Sequence, residues 1–114
     1  MECLFINKAE FNGNLSRWQV GRVTNMYRMF QGATSFNGDL SGWDVGQVTD
    51  MSFMFHGATS FNGDLSSWDV GRVTDMESMF CNATSFNRQL GGAWSGSTAV
   101  GRTGMFHGSG DSIV

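Results

Sequence analysis

Proline is absent from the 114 residues, tyrosine occurs once and cysteine twice. Without proline, every turn must be made by residues that tolerate unusual backbone angles, here Gly and Asn. Charged residues make up only 15% of the chain and the net charge is −3. That balance leaves no basic face and excludes a nucleic-acid footprint. No apolar run reaches the roughly 18 residues of a membrane span, and no basic segment followed by a long apolar stretch marks a signal peptide. At this length the chain is expected to be one domain.

What is present is a 25-residue repeat. Phe11, Phe36, Phe61 and Phe86 share one column, and Trp18, Trp43 and Trp68 another. Val20, Val45 and Val70, then Met29, Met54 and Met79, then Phe30, Phe55 and Phe80 complete the apolar set. Such a period predicts stacked units, each burying its apolar face against its neighbours. It favours an extended surface over an enclosed catalytic pocket. Cys3 and Cys81 fall in different columns about three repeats apart, so they are expected to be free thiols.

Residues 49–73 illustrate the expected unit. Thr49 and Asp50 read as a helix start, and Thr74 and Glu77 have capping-box spacing. Met51, Met54, Phe55 and Ala58 follow at the spacing of a short helix's apolar stripe. Asn7, Gly32, Gly57, Asn82 and Gly108 supply the left-handed residue that would close it. Phe61-Asn62-Gly63-Asp64 then turns, and Leu65–Val70 alternates like a strand, with Trp68 and Val70 inward. These features predict an α/β solenoid of strand-turn-helix coils with a short parallel sheet, about four and a half coils spanning residues 1–108. Beyond residue 91 the pattern degrades: Trp94, Met105 and Phe106 follow their counterparts by 26 positions, and 109–114 is expected to be a frayed tail. Met1 aligns with Met26, Met51 and Met76, so the chain opens inside a repeat. Either a longer array or a partner is expected to cover that first coil, and exposure of Leu4, Phe5 and Phe11 would favour end-to-end self-association.

The run Phe36-Asn37-Gly38-Asp39-Leu40-Ser41-Gly42-Trp43-Asp44-Val45-Gly46-Gln47-Val48-Thr49-Asp50-Met51-Ser52-Phe53-Met54-Phe55 resembles the repeats of BspA-like surface proteins, also called the mycoplasma lipoprotein-associated repeat or DUF285. The likeness covers 1–90 well and 91–108 poorly. It implies a leucine-rich-repeat-like fold, display at the cell surface or outside the cell, and a binding or adhesion role without shared catalytic residues. The chain departs from the family in lacking a signal segment and a lipobox.

Functional candidates follow from the columns. Arg17, Gly42 and Ser67, beside Gln19, Asp44 and Asp69, would form the outward face of the sheet, a polar surface for a protein or a glycan. Asp39 with Asp64, Asp44 with Asp69, and Asp50 with Asp75 stack carboxylates at repeat spacing, where a hard cation such as Ca²⁺ would relieve repulsion. Against this, Asp50 and Asp75 already suit a helix start, so no cofactor is expected. The column Asn12, Asn37, Asn62 and Asn87 predicts an amide ladder at the turn. Thr34, Thr59 and Thr84 form a hydroxyl array that would suit ice-like water. A cation-stabilised or ice-interacting structural repeat is therefore the alternative to a binding scaffold. His56 and His107 stand apart from other metal ligands and from any nucleophile at triad spacing, and no catalytic activity is expected.

Overall fold

The computed structural model describes residues 2–91, 94, 104–109 and 112–113. In it the 25-residue columns lie over one another, but the elements expected within each unit do not form. The α/β solenoid reading is overturned. Among the described residues there is no α-helix, and the strands are two residues long, β1 (Gln89–Leu90) and β2 (Ser112–Ile113). These pair in parallel, Gln89 opposite Ser112 and Leu90 opposite Ile113, so part of the expected frayed tail is hydrogen-bonded. Elsewhere only isolated parallel bridges link Asn25 to Asp50 and Asp50 to Asp75. The Cα radius of gyration is 12.4 Å, close to the roughly 13 Å of a compact domain of this length.

The physical reason lies in the backbone angles. Asn7, Gly32, Gly57, Asn82 and Gly108 are left-handed, with φ of 56°, 70°, 70°, 58° and 77°. That much follows from the Gly/Asn column. A second left-handed column sits four residues earlier, at Cys3, Arg28, Phe53, Ser78 and Gly104, with φ between 51° and 66°. An α-helix needs an uninterrupted right-handed run, and a left-handed residue inside it costs roughly 1–2 kcal/mol. Two such residues leave only a chain of turns.

Those turns satisfy the backbone differently from a helix. The N–H groups of Met29, Gln31 and Ala33 donate three residues back, to Met26, Arg28 and Phe30. The alternate N–H groups of Met26, Arg28, Phe30 and Gly32 donate instead to the following unit, to the carbonyls of Asp50, Ser52, Met54 and His56, at 2.8–3.1 Å. Met51, Phe53, Phe55 and Gly57 repeat this toward Asp75, Glu77, Met79 and Cys81. The helix-cap expectation fails with the helix: Asp50 accepts the N–H of Ser52 at 2.9 Å, closing a local turn. The expected strand over Leu65–Val70 is likewise a turn, in which the Trp68 N–H donates to the Leu65 carbonyl.

Packing supplies the stabilisation that regular elements do not. Phe5, Phe30, Phe55, Phe80 and Phe106 stack in a file at centroid spacings of 5.4, 5.4, 5.6 and 5.8 Å. A second file, Phe11, Phe36, Phe61 and Phe86, runs beside it at 5.7–5.9 Å. Cross-contacts such as Phe30 to Phe36 at 4.3 Å lock the files together. Met29, Met54 and Met79, with Ala33, Ala58 and Ala83, are fully buried around them. Parallel near-contact rings of this kind gain about 0.5–1.5 kcal/mol beyond their buried area. The Asn column does form a ladder: the side-chain oxygens of Asn12, Asn37 and Asn62 accept the backbone N–H of Asn37, Asn62 and Asn87. Cys3 and Cys81 are free. Apart from Gly91, Trp94 and Gly104, the loosened stretch 91–104 lies outside the described residues.

Candidate binding site

Each tryptophan after the first is held the same way. The indole N–H groups of Trp43, Trp68 and Trp94 donate to the carbonyls of Leu15, Leu40 and Leu65, each at 2.9 Å. These three indoles are buried, whereas Trp18 is 40% exposed.

Beside Trp18 lies a cleft of about 430 Å³, lined by Trp18, Gln19, Val20, Gly21, Arg22, Gly42 and Asp44. Clefts of roughly 300–1,000 Å³ with a few convergent polar groups are the ordinary setting for small ligands. Val20 is buried and forms the floor, while Gln19, Arg22 and Asp44 are exposed at the walls. The Asp44 carboxylate is fixed by its own turn, one oxygen accepting the Gly46 N–H at 3.1 Å. Its other oxygen lies 3.3 Å from where a side chain on Gly21 would begin. Glycine at 21 therefore leaves the carboxylate room to face the cleft. The site offers an aromatic face, a guanidinium, an amide and a carboxylate within one small concavity.

The expected sheet face is not a sheet, and its residues separate. Arg17, Gln19, Asp44, Ser67 and Asp69 are all exposed, but only Gln19 and Asp44 line the cleft. The Ser67 hydroxyl donates to the Ser41 carbonyl at 2.9 Å, and Asp69 accepts the Gly71 N–H at 3.0 Å. The candidate cation ligands are engaged locally. Asp39 accepts both the hydroxyl of Ser41, at 2.6 Å, and its N–H, at 2.9 Å, which together hold its carboxyl below the usual aspartate range. Asp64 is lowered by the N–H of Ser66 and then by its hydroxyl. Among the described residues no three His, Cys, Asp or Glu side chains converge. Thr34 and Thr59 spend their hydroxyl protons on the carbonyls of Ala9 and Thr34.

Trp18 and Arg22 were not singled out by the surface columns, because Trp18 shares the core column of Trp43 and Trp68. Residue type gives no signal of its exposure, since its counterparts Trp43 and Trp68 are buried.

Residues 1–112 match the profile described as "Mycoplasma protein of unknown function, DUF285". The chain belongs to the DUF285 family. The match runs through the irregular stretch after residue 91 as well as the regular repeats, so this DUF285 chain carries the family pattern almost from end to end. Neither the curated proteins nor the solved structures contain a match to it. No helix among the described residues is long and apolar enough to cross a membrane.

Proposed function

We propose that this DUF285 chain is a non-catalytic binding scaffold displayed at the cell surface, and that the Trp18 cleft takes a sugar unit of a glycan. The observation that carries this reading is the contrast between Trp18 and its three buried counterparts. An indole face exposed beside Gln19, Arg22 and Asp44 matches a ligand with one apolar face and a rim of hydroxyls. The carboxylate accepts from those hydroxyls, the amide accepts or donates, the guanidinium donates, and the ring stacks against the C–H face. The surface setting rests on the resemblance to BspA-like repeats. The choice of a glycan over a protein partner rests on the size of the cleft, which suits a small group better than a broad protein interface.

A glycan array probed with the labelled protein tests the proposal. Binding to a defined set of neutral glycans is expected, with Trp18→Ala weakening it at least about tenfold, equivalent to roughly 1.4 kcal/mol. Asp44→Asn is expected to change which glycans bind. Silence across the array, or full binding by Trp18→Ala, would overturn the reading.

A further inference from the structure

Away from both ends of the chain, Arg28 and Phe53 hold the same position in successive repeats. Both backbones are left-handed there, with φ of 56° and 58°. Neither residue type suits that angle, whereas Gly104 fills the equivalent position of a later unit with φ of 66°. Backbone conformation thus gives no reason for an arginine and a phenylalanine here, and their side chains do. The Arg28 guanidinium carbon lies 4.9 Å from the Tyr27 ring centroid and 5.3 Å from that of Phe53. Those two rings meet edge to face, 6.1 Å apart at 83°. The cation therefore occupies the corner between two nearly perpendicular aromatic faces, and His56 borders the Phe53 ring at 5.7 Å.

Nothing among the described residues answers that charge. Arg28 Nε is buried without a hydrogen-bond partner, and Gln31 Oε1, three residues on, is in the same state. No carboxylate pairs with Arg28 among the described residues, and its ring contacts are its interactions there. The residue as a whole is half-buried, which leaves the two terminal nitrogens at the surface. A charge taken partly out of water without a counter-charge is costly, and an anion at the open edge offsets that cost.

We infer that this corner is a docking point for a carboxylate side chain of a partner polypeptide, its two oxygens accepting from the two terminal nitrogens of Arg28. A guanidinium matches a planar carboxylate through two parallel hydrogen bonds, and stacking on the rings fixes its plane beforehand. Half-buried Tyr27 and Phe53 beside the charge offer apolar area to the residues that flank the carboxylate in its own chain, area that a free anion does not use. Arg and Tyr are also among the side chains that most often anchor protein interfaces. Because the net charge of −3 repels anions at long range, the attraction is confined to this corner. Tyr27, Arg28, Phe53 and His56 do not line the Trp18 cleft, so the inference stands apart from the glycan reading.

An array of peptides with a central Glu in varied flanking sequence, paired with the same array carrying Gln, tests the inference when probed with the labelled full chain. The wild type is expected to be retained at least about tenfold better by a set of Glu peptides than by their Gln counterparts. Arg28→Gly should abolish that preference while still folding, because Gly104 already takes the same backbone angle. Arg28→Lys should lose most of it, since an ammonium keeps the charge without the fork. Melting curves establish that each variant is folded, and either one suffices if the other is not. Equal retention by Glu and Gln peptides overturns the inference, as does a folded Arg28→Gly chain that keeps the preference. So does full preference in Arg28→Lys, or displacement by inorganic phosphate more readily than by free glutamate, which would assign the corner to phosphate. Trp18→Ala should keep the preference, so the fate of the glycan reading is measured separately.

Discussion

The indole N–H of Trp43 donates to the carbonyl of Leu15, 2.9 Å away and 28 residues earlier in the chain. This single contact joins two units and gives the Leu15 carbonyl a second donor beside the backbone N–H of Trp18, 3.0 Å away. Trp18, in the same column, is instead 40% exposed beside the cleft.

Trp43→Phe should therefore be costly while Trp18→Phe is not. The first leaves the Leu15 carbonyl with only the Trp18 backbone N–H, and the lost hydrogen bond costs about 0.5–1.5 kcal/mol in addition to lost packing. The second removes an indole that is already 40% exposed, and a change within about 0.5 kcal/mol is expected. Urea unfolding of both variants measures the difference. Equal losses would mean that the hydrogen bond contributes nothing beyond ring volume.

Gly57 has φ of 70° and open space where a side chain would begin, the nearest atom being 3.9 Å away. Gly57→Ala is thus a test of backbone angle alone, with an expected cost of about 1 kcal/mol. Gly57→Asn should cost less, because Asn7 and Asn82 hold the same angle in their own units. Thermal melts that rank Ala above Asn would contradict this account of the column.

The Asp39 carboxyl is lowered first by the Ser41 hydroxyl and then by its N–H. A carboxylate whose folded value lies below its unfolded one contributes stability above the unfolded value, near about 4, and loses it as the pH falls through the folded value. Ser41→Ala removes the first cause. The variant should melt below the wild type at neutral pH, and the gap should narrow as the pH drops below about 4. An NMR titration of the Asp39 carboxyl should show an upward move in the variant. A gap that is the same at every pH would assign the effect of Ser41 to something other than this carboxylate.

Much of the stacking was legible before any coordinates. The phenylalanine files, the left-handed Gly/Asn column and the Asn ladder all follow from residue types recurring at one interval. The elements within each unit were misread for a specific reason. Met51, Met54, Phe55 and Ala58 have the spacing of a helical stripe, but the position between them, filled by Cys3, Arg28, Phe53 and Ser78, takes a positive φ. Nothing in those four side chains announces it, since none is Gly, Asn or Asp. The cleft was half visible: Gln19 and Asp44 were in the chosen columns, whereas Trp18 shares a column with buried indoles and Arg22 belongs to no chosen column.

The period and its residue types determined by themselves which side chains share a column, because identical units can cover each other's apolar surface only in register. Tertiary structure alone decided how the backbone would satisfy its N–H groups. The choice between a bond up a helix and a bond to the next unit depends on whether a parallel row is there to accept it. That acceptor, like the carbonyl of Leu15 beneath Trp43, is supplied by a residue about one repeat away.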